Sequence, residues 1–255
     1  MIKRAENGDV SALLSFLSDD AVSTRIKANL SVYKCDYPFA EFWAQYGENG
    51  EVCAVMSEIN GAAALTFSDS ADKQEIASLL NFIPFSSLML DYDKAERLSL
   101  KTYRSGDVLM FGGNATGAYE NTADCADMKK VFSLIKENEG ASVARLDYLE
   151  WLSDFTFKNN RSAARLKALH IEDSLVSAAM TSAETCDSAI ISGVFTSEQM
   201  RKRGYGEQVL LSLTKSLVRE NKKVYILTAD EKMTSYYEKR GFIKTGRWSE
   251  GINNV

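Results

Sequence analysis

Apolar positions along the chain alternate between two spacings, and the alternation predicts the elements. Asp9–Leu17 and Ala21–Tyr33 have helical spacing, with acidic or hydroxyl residues near their starts. Phe39–Tyr46, Glu51–Ile59 and Ala62–Ser68 alternate at strand period, with Gly47–Gly50 and Asn60-Gly61 as turns between them. Ala71–Phe82 returns to helical spacing through Ile76, Leu79 and Leu80. A strand at Ser86–Leu90, a helix at Tyr92–Leu98 and a turn between two strands over Lys101–Phe111 follow.

The same order then recurs. Cys125–Asn138 and Arg145–Asn159 read as helices, and Ala164–Ile171, Ser174–Glu184 and Ser188–Thr196 as strands. A long helix begins at Gly206, with Val209, Leu210, Leu213 and Leu217 on one face. A strand at Lys223–Leu227, a helix at Met233–Arg240 and a strand at Phe242–Trp248 complete the series. No residue-level repeat accompanies this recurrence. It predicts an α/β protein of two similar domains, 1–115 and 116–255, joined near Gly112–Gly117; the alternative is one mixed domain with an N-terminal extension. Only Ser249–Val255 remain after the final strand, so another segment, with the N-terminal half as a candidate source, is expected to cover that edge.

Composition narrows the function classes. Hydrophobic residues at 45% and charged residues at 25% of 255 suit a soluble globular protein. No run approaches the roughly 18 apolar residues of a membrane span, and Met1–Glu6 lacks the apolar core of a signal peptide. Cys35, Cys53, Cys125 and Cys186 are widely spaced and His170 is the single histidine, so free thiols, a reducing cytoplasm and no metal site are expected. The net charge of −5 is uneven: residues 1–115 carry 10 basic against 16 acidic side chains, and residues 116–255 carry 20 against 19. Nothing in this pattern resembles the basic, aromatic-studded face that nucleic acid requires.

The chemistry is concentrated in Arg201-Lys202-Arg203-Gly204-Tyr205-Gly206, between the strand ending at Thr196 and the long helix. A glycine turn at a helix start directs unpaired amides at one point, the helix dipole adds positive charge there, and cationic side chains strengthen the field. Such a turn suits a phosphate or pyrophosphate. The spacing is neither the dinucleotide fingerprint nor a P-loop.

This R-x-x-G-x-G, followed by helix, strand and Tyr237-Glu238-Lys239-Arg240-Gly241-Phe242, resembles the GNAT N-acetyltransferase family over about residues 120–250. The resemblance implies a mixed-sheet α/β fold, here a tandem of two acyl-CoA N-acyltransferase-like domains. It implies acetyl-CoA as acyl donor, with Val194, Phe195 and Thr196 offering main-chain groups to the pantetheine arm and an amide to the developing oxyanion. Arg201, Lys202, Arg203, Gly204, Tyr205 and Gly206 would cradle the pyrophosphate. Tyr237, at the family's Y-x-x-x-G-F tyrosine, would protonate the departing thiolate, and Asp230 stands where the family often has an asparagine. The acceptor would be a primary amine on a small molecule or peptide, attacking directly. Tyr148, Trp151, Phe155 and Phe157 would line the acceptor pocket or serve as core. Glu184 and Asp187 read as solvated carboxylates near a hairpin, and His170 as a structural residue. A monomer is expected, since a tandem can supply internally what a dimer would.

The equivalent N-terminal junction, Phe67–Lys73, has no glycine or arginine and two aspartates, so that half is not expected to bind coenzyme A. Two other readings compete. One is a regulatory module that binds coenzyme A without transfer; the other is an aminoacyl-tRNA-dependent transferase, a group that also pairs two such domains.

Overall fold

The computed structural model describes residues 1–113, 122–124, 127–138 and 147–251. The chain forms two compact units that are not contiguous in sequence. The first comprises Met1–Leu109, Leu227–Tyr237 and Lys244–Val255; the second comprises Met110–Ile226 and Glu238–Ile243.

In the first unit the strands run β1 (Ile2–Arg4), β2 (Ala40–Tyr46), β3 (Val52–Ile59), β4 (Ala62–Phe67) and β5 (Ser87–Asp91), then β12 (Phe242–Gly251) and β6 (Thr102–Phe111). β2, β3 and β4 form an antiparallel meander. Its tight turn is Asn60-Gly61, both at positive φ (50° and 84°), the geometry for which Asn-Gly is preferred. β4 then pairs parallel with β5 through the crossover helix α3 (Lys73–Phe82). α1 (Val10–Phe16), α2 (Ala21–Tyr33) and α4 (Tyr92–Arg97) complete this unit. α2 begins at Asp20, whose carboxylate accepts the Ser23 amide at 2.7 Å. The core around Met56, Leu65, Phe67, Ile76, Leu80 and Leu88 is apolar on both sides of the crossover.

In the second unit the order is β7 (Thr122–Ala123), β8 (Leu166–Ile171), β9 (Ser174–Glu184), β10 (Ser188–Thr196) and β11 (Lys223–Thr228). β7 to β10 are antiparallel, and β10 pairs parallel with β11 after the crossover helix α7 (Tyr205–Arg219). α5 (Met128–Glu137) and α6 (Tyr148–Asn159) cover one face, capped by Asp127 and Asp147. Trp151 stacks on Phe155 with centroids 5.8 Å apart, and both join Val131, Ile135 and Phe195 in the core. Tyr148 packs against this cluster, whereas Phe157 lies under the Arg161 guanidinium at 3.6 Å. The i, i+3, i+7 aromatics on α6 therefore serve as packing.

Lys101–Phe111 differs from the expected turn. Thr102–Phe111 is one ten-residue strand. Ser105-Gly106-Asp107 has turn composition, but Gly106 is required for another reason: a Cβ there would lie 1.7 Å from the Thr228 carbonyl oxygen. The glycine permits close approach of two strands. In the first unit β6 thus lies between β12 and the 227–228 end of β11, so an N-terminal segment covers that edge. β12 in turn pairs antiparallel with β5, Trp248 opposite Asp91 and Gly251 opposite Leu88.

Cys35, Cys53 and Cys186 are free thiols; Cys125 lies outside the described residues, as do 114–117 of the expected linker. Among the described residues no helix is long and apolar enough to cross a membrane.

Candidate functional site

The second unit builds the anion cup from β10, the loop after it and the start of α7. β10 is bulged twice against β9: its partners pass from Ile190↔Ala183 to Ile191↔Thr181 and then to Gly193↔Met180, skipping Ser182 and Ser192. Bulges bend a strand and increase its twist. The parallel pairing with β11 covers only Ser188–Ile191 against Lys223–Ile226, while β10 runs on to Thr196. The edge of β10 past Ile191 therefore leaves the β11 ladder where Val194, Phe195 and Thr196 lie. Phe195 turns its ring into the core, back over Gly193, where a Cβ would come 2.4 Å from that ring. Val194 and Thr196 are half-buried on the other face.

The Ser177 hydroxyl fixes the exit of β10, donating to the Phe195 carbonyl at 2.7 Å. Arg201 holds the loop from both sides: its guanidinium donates to the Thr196 carbonyl at 3.4 Å and to Asn138 Oδ1 at 3.1 Å. The chain then takes positive φ twice, at Lys202 (62°) and Gly204 (83°), before entering α7. Gly204 occupies the N-cap without any side chain to cap the helix, and a Cβ on it would meet nothing within 4 Å. The first helical bond of α7 runs from the Gln208 amide to the Gly204 carbonyl. Among the described residues the amides of Lys202, Arg203, Gly204, Tyr205, Gly206 and Glu207 donate no hydrogen bond. Lys202, Arg203 and Gly204 are exposed. The result is an open, cationic nest at the start of a fifteen-residue helix, a geometry that suits an anion.

One feature of the cup was missed in the sequence. Glu207, in the first turn of α7, would repel an anion, but Arg240 donates to its Oε2 at 2.6 Å. The pairing neutralises the acid at the rim. The signal was present in Glu207 following Gly206 and Arg240 preceding Gly241, but their approach is a tertiary fact.

Tyr237 and Asp230 belong to the first unit, on α8 (Glu231–Glu238) and at its start. Asp230 starts the helix: its carboxylate accepts the Lys232 amide at 2.6 Å and its carbonyl the Thr234 amide at 2.9 Å. Thr234 and Tyr237, one turn apart, are the buried residues of α8. Tyr237 is 6% exposed and meets the Tyr236 ring edge to face at 5.2 Å. Of the two neighbouring tyrosines, it is Tyr237 that turns inward.

The N-terminal half uses the same parts differently. Asp72 caps α3, accepting the Gln74 and Glu75 amides at 2.9 and 3.2 Å, so the acceptor its amides need is already in place. The space where β4 and β5 part is spanned by Lys94, whose ammonium meets Thr66 Oγ1 at 2.6 Å and Asp91 at 2.9 Å. Burial pushes the Asp91 carboxyl above its ordinary range, with Lys94 opposing. Arg97 closes the loop onto Asp69 at 2.8 Å.

Glu184 departs from the sequence reading. It is 2% exposed, bonded by Arg165 Nε at 2.9 Å and by Lys222 at 2.6 Å. Glu220 joins the same network, its carboxyl lowered to about 2 by hydrogen bonding from Arg165. Glu184 is therefore a locked structural ion. Asp187 accepts from the Thr185 and Ser188 hydroxyls at the β9–β10 turn. His170 sits opposite Leu175 in the β8–β9 hairpin. Among the described residues no group of three or more His, Cys, Asp or Glu is placed to hold a metal.

Comparison with known proteins bears on the fold. Residues 169–250, which include the cup, match the family model described as FR47-like protein. No curated protein matches the sequence. A solved tandem GNAT protein from the clavulanic acid biosynthesis pathway superposes with TM-score 0.63 at 12% identity, covering 98% of this chain and 97% of that one. A GCN5-related N-acetyltransferase from Sphaerobacter thermophilus gives TM-score 0.63 at 13% identity, covering 98% and 94%. An acetyltransferase of the GNAT family from Colwellia psychrerythraea gives 0.58 at 13% identity over all of both chains. The chain has the tandem GNAT fold, with an FR47-like C-terminal region.

Proposed function

We propose that this tandem GNAT-fold protein is an acetyl-CoA-dependent N-acyltransferase whose donor site is the nest at the start of α7. The observation that carries the reading is the set of six unbonded amides, Lys202 to Glu207, under Arg203 and Lys202. These groups fit a pyrophosphate: an anion there satisfies donors that the helix itself cannot, and meets the positive end of its dipole. The edge of β10 past Ile191 fits the amide-rich pantetheine arm, which can hydrogen-bond to the main chain around Val194–Thr196 as a strand would. Acetyl-CoA supplies the acyl group as a reactive thioester.

In this reading the β10 main chain orients the donor and one of its amides polarises the thioester carbonyl. The Tyr237 phenol delivers a proton to the leaving sulfur. A phenol is ordinarily a weaker acid than a thiol, so the transfer is uphill and relies on positioning. Burial of Tyr237 against Tyr236 limits the orientations of its ring. The amine attacks as the neutral base. With Glu184 locked between cations, deprotonation falls to solvent or to a group on the acceptor side. The N-terminal half, with Asp72 and Lys94 in the corresponding positions, does not take coenzyme A.

Calorimetry with acetyl-CoA tests the donor site. A dissociation constant of about 1 mM or tighter is expected, the upper end of ordinary substrate affinities; weaker binding rejects the reading. Thiol release across an amine panel then separates a transferase from a module that binds without turnover.

A further inference from the structure

The first unit contains a 230 Å³ basin beside the start of α8. Gly106 lines it, where β6 presses so closely on the Thr228 carbonyl that no Cβ fits between them. One wall is Thr234, which donates to Asp107 at 2.9 Å and so accepts from the Thr228 hydroxyl at 2.6 Å. Asp107 also pairs with Lys244 at 3.1 Å. Burial works against its ionisation, but Lys244 and Thr234 outweigh it and hold the carboxyl below its ordinary range. Asp107 and Lys244 thus offset each other.

The other lining charges make no ion pair among the described residues. Arg247 lies over the Tyr92 ring at 3.8 Å, adds to the field that lowers the Asp107 carboxyl, and makes no ion pair among the described residues. Glu231 likewise has no ion-pair or hydrogen-bond partner among them. The basin therefore presents one guanidinium fork and two carboxylates without an ion pair, Asp230 and Glu231. A ligand of either sign alone would meet a like charge: an anion faces Asp107, Asp230 and Glu231, and a cation faces Lys244 and Arg247. A molecule carrying both charges meets both. The volume falls below the roughly 300–1,000 Å³ of pockets for drug-sized ligands, which suits a single small metabolite.

We propose that this basin is the acceptor subsite and that the acceptor is a small amino-carboxylate, its carboxylate on Arg247 and its ammonium on Glu231. The term acceptor rests on the transferase reading, but the binding does not. Position favours it, because Thr234 stands one turn before Tyr237 on the same side of α8, about 4.5 Å along the axis. Fork-to-carboxylate pairing also suits an arginine whose guanidinium carbon sits 3.8 Å from the Tyr92 centroid, since lysine has no planar fork to offer there.

Saturation-transfer NMR of the full chain against the common amino acids, without coenzyme A, tests the proposal. At least one amino acid is expected to bind at about 1 mM, a typical upper KM, and its methyl ester at least tenfold more weakly. Arg247→Met should abolish that difference between acid and ester. Arg247→Lys, which keeps the charge and the stem but not the planar fork, should retain only part of it, with the circular dichroism spectrum of both variants unchanged; full retention in Arg247→Met overturns the proposal. Glu231→Gln should weaken the amino acid but not a simple carboxylate. No amino acid bound, or acid and ester bound equally by the wild type, overturns the proposal. The donor reading would still stand on acetyl-CoA calorimetry, just as failed calorimetry would leave this binding measurable.

Discussion

Arg240→Met removes the cation paired with Glu207 and should expose the cup to an acid at its rim. The pair is close (2.6 Å), with side chains 18% and 40% exposed. In the wild type it is nearly neutral as seen from the α7 amides. Without Arg240, a full negative charge remains in the first turn of the helix. At about 6 Å in water-like surroundings a unit charge pair is worth about 0.7 kcal/mol, so against a doubly charged pyrophosphate the penalty is about 1.4 kcal/mol, or roughly tenfold in affinity. Calorimetry with acetyl-CoA at low ionic strength should show that loss. At about 1 M salt, where the screening length falls to about 3 Å, the loss should shrink. The double variant Arg240→Met/Glu207→Gln should return to within about twofold of wild type, because the interaction energy of the cycle is the charge itself. Unchanged affinity in Arg240→Met refutes the reasoning. An equal loss in the double variant also refutes it, since Arg240 would then act through the fold or by touching the ligand.

Other perturbations test separate parts of the account. Arg203→Glu should weaken acetyl-CoA at least tenfold by reversing charge over the nest; an unchanged constant would place the phosphates elsewhere. Gly204→Ala meets no neighbour within 4 Å, so its effect is conformational: a φ of 83° costs a non-glycine about 1–2 kcal/mol, readable as a lower denaturation midpoint. Tyr237→Phe should lower turnover while acetyl-CoA affinity persists, and equal rates would remove the phenol from the mechanism. Glu220, lowered to about 2 from 4.5, contributes stability that is present above the ordinary carboxylate range and lost as pH falls from about 4.5 toward 2. Because its side chain is 44% exposed, the contribution is screened and modest. Glu220→Gln should accordingly narrow the stability difference between pH 7 and pH 2, measured by denaturant titration.

Much of the local structure was legible in the residues. The period-2 and period-3.6 runs place β2 to β5, β8 to β12 and helices α1 to α8 within a few residues, because burial of one face imposes those spacings on any neighbour. The glycine turn at the start of α7 was legible for a related reason. Its parts, two glycines, three cations and a helix start, all lie within residues 201–206, and backbone geometry there depends on local conformation. Tyr237 could be favoured over Tyr236 from its register to Gly241, and its burial agrees.

What only the tertiary structure decided was the company each segment keeps. Alternation says that a strand exists and which face is apolar; it carries no information about its edge partners. Hence Ser105-Gly106-Asp107 resembled a turn until Thr228 was seen against Gly106, and Glu184 resembled a solvated carboxylate until Arg165 and Lys222 closed over it. The insertion of β12 beside β5, the return of residues 227–237 and 244–255 to the first unit, and the meeting of Arg240 with Glu207 are long-range pairings. They are set by which hydrogen-bonding edges and charges remain unsatisfied once the local elements have formed, and no window of sequence contains both partners.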